Sequence, residues 1–159
     1  MAMSLFIVGS AHAADIKMGY ADLSKLFDEY YKTKDYDKVL AGKSTEFGNT
    51  RTKKVEAIQD AVSKLGVLAE DKKAEKEKEI EKMKAELMEF DRQQRENLTK
   101  ERNEKIREIL LEIEKVVSDY AAKQGYTLIL NDRVLIYGDK TMDLTEQILK
   151  ILNDKKPKS

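Results

Sequence analysis

The chain of 159 residues is 38% charged and 41% hydrophobic, with 30 basic against 30 acidic side chains and a single proline. That mix suits long solvent-exposed helices better than a compact core. With a net charge of zero the chain is no strong polycation, which weakens a nucleic-acid-binding reading.

There is no cysteine, which excludes thiolate zinc sites, thiol nucleophiles and disulfides. The sole histidine, His12, falls in an N-terminal leader, so neither a Ser-His-Asp triad nor a histidine metal site is available beyond it. No G-x-x-x-x-G-K-[ST] loop is present to hold a nucleotide. The expectation is a protein that is not an enzyme and needs no cofactor. Glu75, Glu77, Glu79 and Glu81 lie among lysines and read as a solvated face rather than as acid/base pairs.

In chain order, Met3 to Gly9 is apolar or small, and Ala11-His12-Ala13 has the A-x-A form of a cleavage site. Residues 1–13 therefore read as an export signal, complete or truncated, although no Lys or Arg precedes the apolar run. No other run approaches the ~18–20 apolar residues that span a bilayer. Ile16 to Tyr20 alternates like a short strand. Asp22 stands at a helix N-cap, followed by Leu23, Leu26, Phe27 and Tyr30 at helical spacing.

Residues 33–123 lack proline and are dominated by good helix formers. Val55, Ile58, Val62 and Leu65 recur at spacings of three and four, as do Ile80, Met83, Leu87 and Phe90, which is the seam of a two-helix coiled coil. Ile106, Ile109, Ile113, Val116 and Tyr120 form a third run beyond a polar interval, Gln93 to Lys105. Leu87, Leu98, Ile109 and Tyr120 are eleven apart, the period of a straighter, less left-handed helix pair. Gly66 breaks the helix and Ala69-Glu70-Asp71 restarts it, which predicts an antiparallel hairpin with its tip at 66–73 and arms of about 40–50 residues each, or ~60–75 Å.

Gly125 is a natural helix terminator. Tyr126 to Leu130 and Val134 to Tyr137, separated by Asn131-Asp132, predict a β-hairpin. Asp143-Leu144-Thr145-Glu146 resembles a capping box for a last helix carrying Leu144, Ile148, Leu149, Ile151 and Leu152. The fold class is mainly α with a small β body: a discontinuous body from 14–32 and 124–153, a helical-hairpin arm over 33–123, and a frayed tail at 154–159.

This order resembles the Skp/OmpH family of chaperones across the chain beyond residue 13. The blocks that carry the likeness are Met18-Gly19-Tyr20-Ala21-Asp22-Leu23-Ser24-Lys25-Leu26-Phe27, Gly125 to Asn131, and Met142 to Leu149. The resemblance implies a periplasmic homotrimer that holds unfolded outer-membrane proteins, without ATP, in a cavity between its arms. It also implies basic arms, whereas Lys43 to Lys123 is balanced in sign, which argues against contact with lipopolysaccharide or anionic lipid.

Trimer-body candidates are Ile16, Leu128, Leu130, Leu135 and Tyr137, apolar residues of the expected strands whose edges association would close. Client-contact candidates are apolar residues outside the seam, Phe47, Val67, Leu68 and Leu98, joined by the adaptable Met83 and Met88. Tyr30, Tyr31 and Tyr36 are expected to fill the junction of arm and body. Two other functions fit the same chain, a coiled-coil spacer of the cell envelope and a cytosolic prefoldin-like chaperone.

Overall fold

Residues 16–157 are described by the computed structural model of the chain, and the export signal expected over residues 1–13 lies outside them, as do residues 158–159. The first helix, α1 (Leu23–Glu29), begins where the Asp22 carboxylate accepts from the Lys25 amide at 2.9 Å, satisfying a donor left bare at a helix start. It ends at Tyr30, whose extended backbone (ψ 130°) turns the chain into α2 (Tyr31–Leu65). Asn153, from the far end of the chain, stitches this break. Its Oδ1 accepts from the Tyr31 amide at 2.9 Å and its Nδ2 donates to the Glu29 carbonyl at 3.2 Å.

After the turn Gly66–Ala69 the chain returns as α3 (Glu70–Gln124), forming a long antiparallel hairpin with α2. The helices are 35 and 55 residues long, roughly 52 and 82 Å, where the sequence predicts arms of similar length, about 40–50 residues each. The additional turns of α3 are core. Ile109, Ile113 and Val116 lie in one buried cluster with Leu26, Tyr30, Ile148 and Leu152. The body therefore begins inside α3, and a division at residue 123 is drawn too late. Gly125 ends α3 with φ +72°, a conformation that costs a residue with a Cβ about 1–2 kcal/mol.

β1 (Met18–Ala21) and β2 (Leu128–Asn131) pair in parallel, Met18 opposite Leu128 and Tyr20 opposite Leu130. The expected β-hairpin is thus corrected. β2 pairs with the N-terminal strand across the whole hairpin, and Val134–Tyr137 contains no strand in the described structure. The edge of β1 away from β2 is occupied by the segment 143–144: Tyr20 bridges Asp143, and the Leu144 amide donates to the Tyr20 carbonyl at 2.8 Å. After a single 3-10 turn at Asp132–Val134, residues 135–137 run unpaired along the outside, despite their strand-like composition.

The last helix, α4 (Thr145–Asp154), covers the cluster with Ile148, Leu149 and Leu152. Asp143 Oδ1 accepts from the amide and hydroxyl of Thr145 at 2.9 and 2.6 Å, and the same hydroxyl oxygen accepts from the Asp22 amide at 2.9 Å. The capping box is only half made. The Asp143 amide that Glu146 would cap donates instead to the Lys140 carbonyl at 3.2 Å, and Glu146 pairs with Lys25 of α1 at 2.6 Å.

Candidate functional site

The arm is sealed near its tip and near its base, and open between. Towards the tip, Ile58, Ala61 and Leu65 of α2 and Ile80, Met83 and Leu87 of α3 turn inward. Ala61 takes the seam position expected of Val62, which is exposed, because a small residue lets the helices approach. At the base, Ile109 and Ile113 are almost wholly buried. Between these zones the inward positions turn polar: Thr50 and Lys54 on α2, with Gln94, Glu101 and Lys105 on α3.

Three ion pairs hold the register across this stretch and its base, Lys32–Glu112, Lys43–Glu101 and Arg51–Asp91, each with its cation on α2. Such partly exposed pairs contribute at most about 1 kcal/mol each, so they set alignment more than stability.

Polar seam residues do not fill the space between two helices, and a cavity of about 310 Å³ opens along one side of the arm. Phe47, Phe90 and Leu98 form its apolar part. The two rings are 5.5 Å apart and tilted by 44°. Lys43 paired to Glu101 stands at one end, Lys54 lies 5.4 Å from the Phe90 ring at the other, and Gln94 and Asn97 present amides on the wall.

Phe47 and Leu98, expected outside the seam, are instead half-buried within it. The eleven-residue row already placed Leu98 on the inward line with Leu87, Ile109 and Tyr120. Met83 is half-buried in the seam, and Leu68 is half-buried at the turn. Val67 at the tip and Met88 on the solvent face of α3 are open to water, with 86% and 70% exposure. The six candidates are therefore not one site. Phe47 and Leu98 come together, and the other four are dispersed.

A second apolar opening lies on the body. A cavity of about 330 Å³ is bounded by Leu23 and Leu26 of α1, Leu110 and Val117 of α3, and Ile129 and Leu130 of β2. Leu111, Leu128, Val134, Ile136 and Tyr137 are exposed on the same body, Ile136 completely. Of the body candidates, Leu130 lines the cavity and Leu128 and Tyr137 are exposed, while Leu135 is half-buried and Ile16 precedes β1 in the open. Leu135 and Tyr137, expected in a strand, lie in none. Leu110 and Val117 were missed, although a second apolar row beside Ile109, Ile113 and Val116 signalled a helix with two faces to cover.

The family model of outer membrane protein (OmpH-like) matches residues 17–152. No curated protein is detectably similar in sequence. Among solved structures, the crystal structure of an outer membrane chaperone (OmpH-like) from Caulobacter crescentus superposes with a TM-score of 0.82 at 12% identity, covering 96% of this chain and 92% of that one. At that identity the likeness speaks for the fold, whereas the family match covers both strands, both arm helices and nearly all of α4. The chain belongs to the OmpH-like outer membrane protein family.

Proposed function

We propose that this protein is a periplasmic holding chaperone, working without nucleotide or catalysis, that binds unfolded outer-membrane proteins and keeps them from aggregating. The observation that carries the reading is the architecture: a hairpin whose mid-section is left open, projecting from a body with an uncovered apolar face. Family membership supports a periplasmic chaperone role.

The body supplies the reason for a homotrimer. A two-stranded sheet is marginal by itself. Here it presents Leu128, Leu130 and the unpaired Val134–Tyr137 segment, and burying these apolar groups between copies removes them from water at about 25 cal/mol per Å². Closed symmetric association places three arms around one space. Many weak contacts at high effective concentration then hold a client firmly while each contact stays easily reversed. Binding the unfolded state lowers the concentration free to aggregate.

The test dilutes a urea-unfolded outer-membrane barrel protein into buffer with the purified chain at one trimer per client. Light scattering by the client should be suppressed without ATP. Scattering unaffected at that ratio refutes the holding function.

A further inference from the structure

The half-open seam of the arm has chemistry of its own. From Lys43 to Lys54, roughly 17 Å of helix, α2 sends only Phe47 inward as a large apolar group, and across from it α3 has only Phe90 and Leu98. A sealed coiled coil would place apolar residues at Thr50 and Gln94, both inward-facing and half-buried. Because Thr50 is short and both are polar, no apolar side chain from these two positions covers the tilted Phe47–Phe90 pair, which remains open along one side.

We propose that this groove is a side-chain subsite of the arm, receiving one aromatic ring of an extended, unfolded outer-membrane polypeptide. The inference rests on the chaperone reading and adds the place and the chemistry of contact. The opening of about 310 Å³ is roughly twice the ~150 Å³ cavity that encloses one benzene ring, so an aromatic side chain enters it with room for its stem. Phe47 and Phe90, 5.5 Å apart and tilted by 44°, give it an aromatic lining, and a third ring packing on such a surface gains about 0.5–1.5 kcal/mol beyond area burial.

Outer-membrane strands alternate side chains and carry aromatic girdles, so one ring enters while its neighbours point away. The amides of Gln94 and Asn97 on the wall provide both donors and acceptors for the client backbone that runs past. The charges around the opening nearly balance: Lys43 is paired to Glu101, Glu46 stands on the lining, and Lys54 lies over the Phe90 ring. An uncharged ring enters without leaving a client charge to be neutralised there.

The test is to fill the groove from within, using the full chain with Thr50→Leu and Gln94→Leu. The probe is a short peptide alternating phenylalanine and threonine, compared with one carrying alanine for phenylalanine. Filling should raise the melting temperature of the arm and weaken phenylalanine-peptide binding about tenfold, to the level of the alanine peptide. A photoreactive benzoyl-phenylalanine in the peptide should cross-link to wild-type residues 43–54 and 90–101.

Added leucine enlarges the apolar surface. Binding that stays the same or strengthens in the filled variant overturns the proposal, as do cross-links confined to the tip or the body. A filled variant that is more stable but binds as before would make the gap a point of flexibility instead, and equally overturns it. The wild-type cross-link decides if filling disrupts the helices. Suppression of barrel-protein aggregation by the wild-type chain is scored separately, so the holding function can stand when the groove falls.

Discussion

Lys32, in the first turn of α2, donates to both carboxylate oxygens of Glu112 in α3 at 2.7 Å, across the joint between arm and body. Burial is the largest single influence on the Glu112 carboxyl and raises it, but the hydrogen bonds from Lys32 and Tyr30 together with the charges of Lys32 and Lys155 outweigh it and hold the group below the ordinary glutamate value of 4.5. A carboxyl lowered in the folded state stabilises fully above its unfolded value, and the contribution is lost as pH falls through the folded value. Melting temperature should therefore decline as pH drops below about 4.5, partly through this pair. Glu112→Gln should lower stability by about 1 kcal/mol at neutral pH and flatten that acid limb, as followed by circular dichroism across the pH range. An unchanged acid limb would assign the decline to other carboxylates.

Gly19 is tested by space. A Cβ there would sit 2.5 Å from Leu144 Cδ1 and 3.2 Å from the Met142 carbonyl, and Leu144 is 2% exposed with little room to withdraw. Gly19→Ala should cost about 1–3 kcal/mol by overpacking, read as a lower urea midpoint at unchanged slope. Gly42→Ala, with open space at its Cβ in mid-helix, should instead stabilise by about 0.5–1 kcal/mol. The two glycines ought thus to move the midpoint in opposite directions.

The body should be the last part to open. Ile113 and Ile148 are fully buried in the cluster shared by α1, α3 and α4, and either changed to alanine should cost about 2–5 kcal/mol. Hydrogen exchange should follow the same division. Amides of α3 between Ile109 and Tyr120 should exchange most slowly, and those flanking the Gly66–Ala69 turn fastest. Uniform protection along α3 would contradict this division.

The hairpin was legible because its signals are local. The absence of proline over 33–123, the break at Gly66 and the terminator at Gly125 each act through a few neighbouring residues. What failed depended on distance. Val134–Tyr137 has strand composition, yet β1 lies more than a hundred residues upstream, with one edge taken by β2 and the other by Asp143 and Leu144. Val62 looked like the seam residue because it is larger than Ala61, whereas helix approach selects the smaller one. The groove was half legible. Phe47 and Leu98 stood out, but their convergence with Phe90 appears only once Arg51–Asp91 and Lys43–Glu101 fix the register.

Assembly is tested most cleanly at Ile136, which touches nothing that would unfold the chain when lost, since its side chain projects wholly into solvent. Ile136→Asp should leave helix content unchanged and alter single-chain stability by no more than about 0.5 kcal/mol. In the proposed trimer the same side chain lies between copies, where an unpaired carboxylate must shed its water or be protonated, so association weakens steeply. Leu130→Asp, on the wall of the body cavity, should act in the same direction at some cost to the fold. Light scattering with size exclusion should then report a trimer for the wild-type chain and a single chain for Ile136→Asp at matched concentration. A trimer that survives Ile136→Asp would move the contact away from the Val134–Tyr137 segment, and a wild-type chain that is already single would remove the shared cavity altogether.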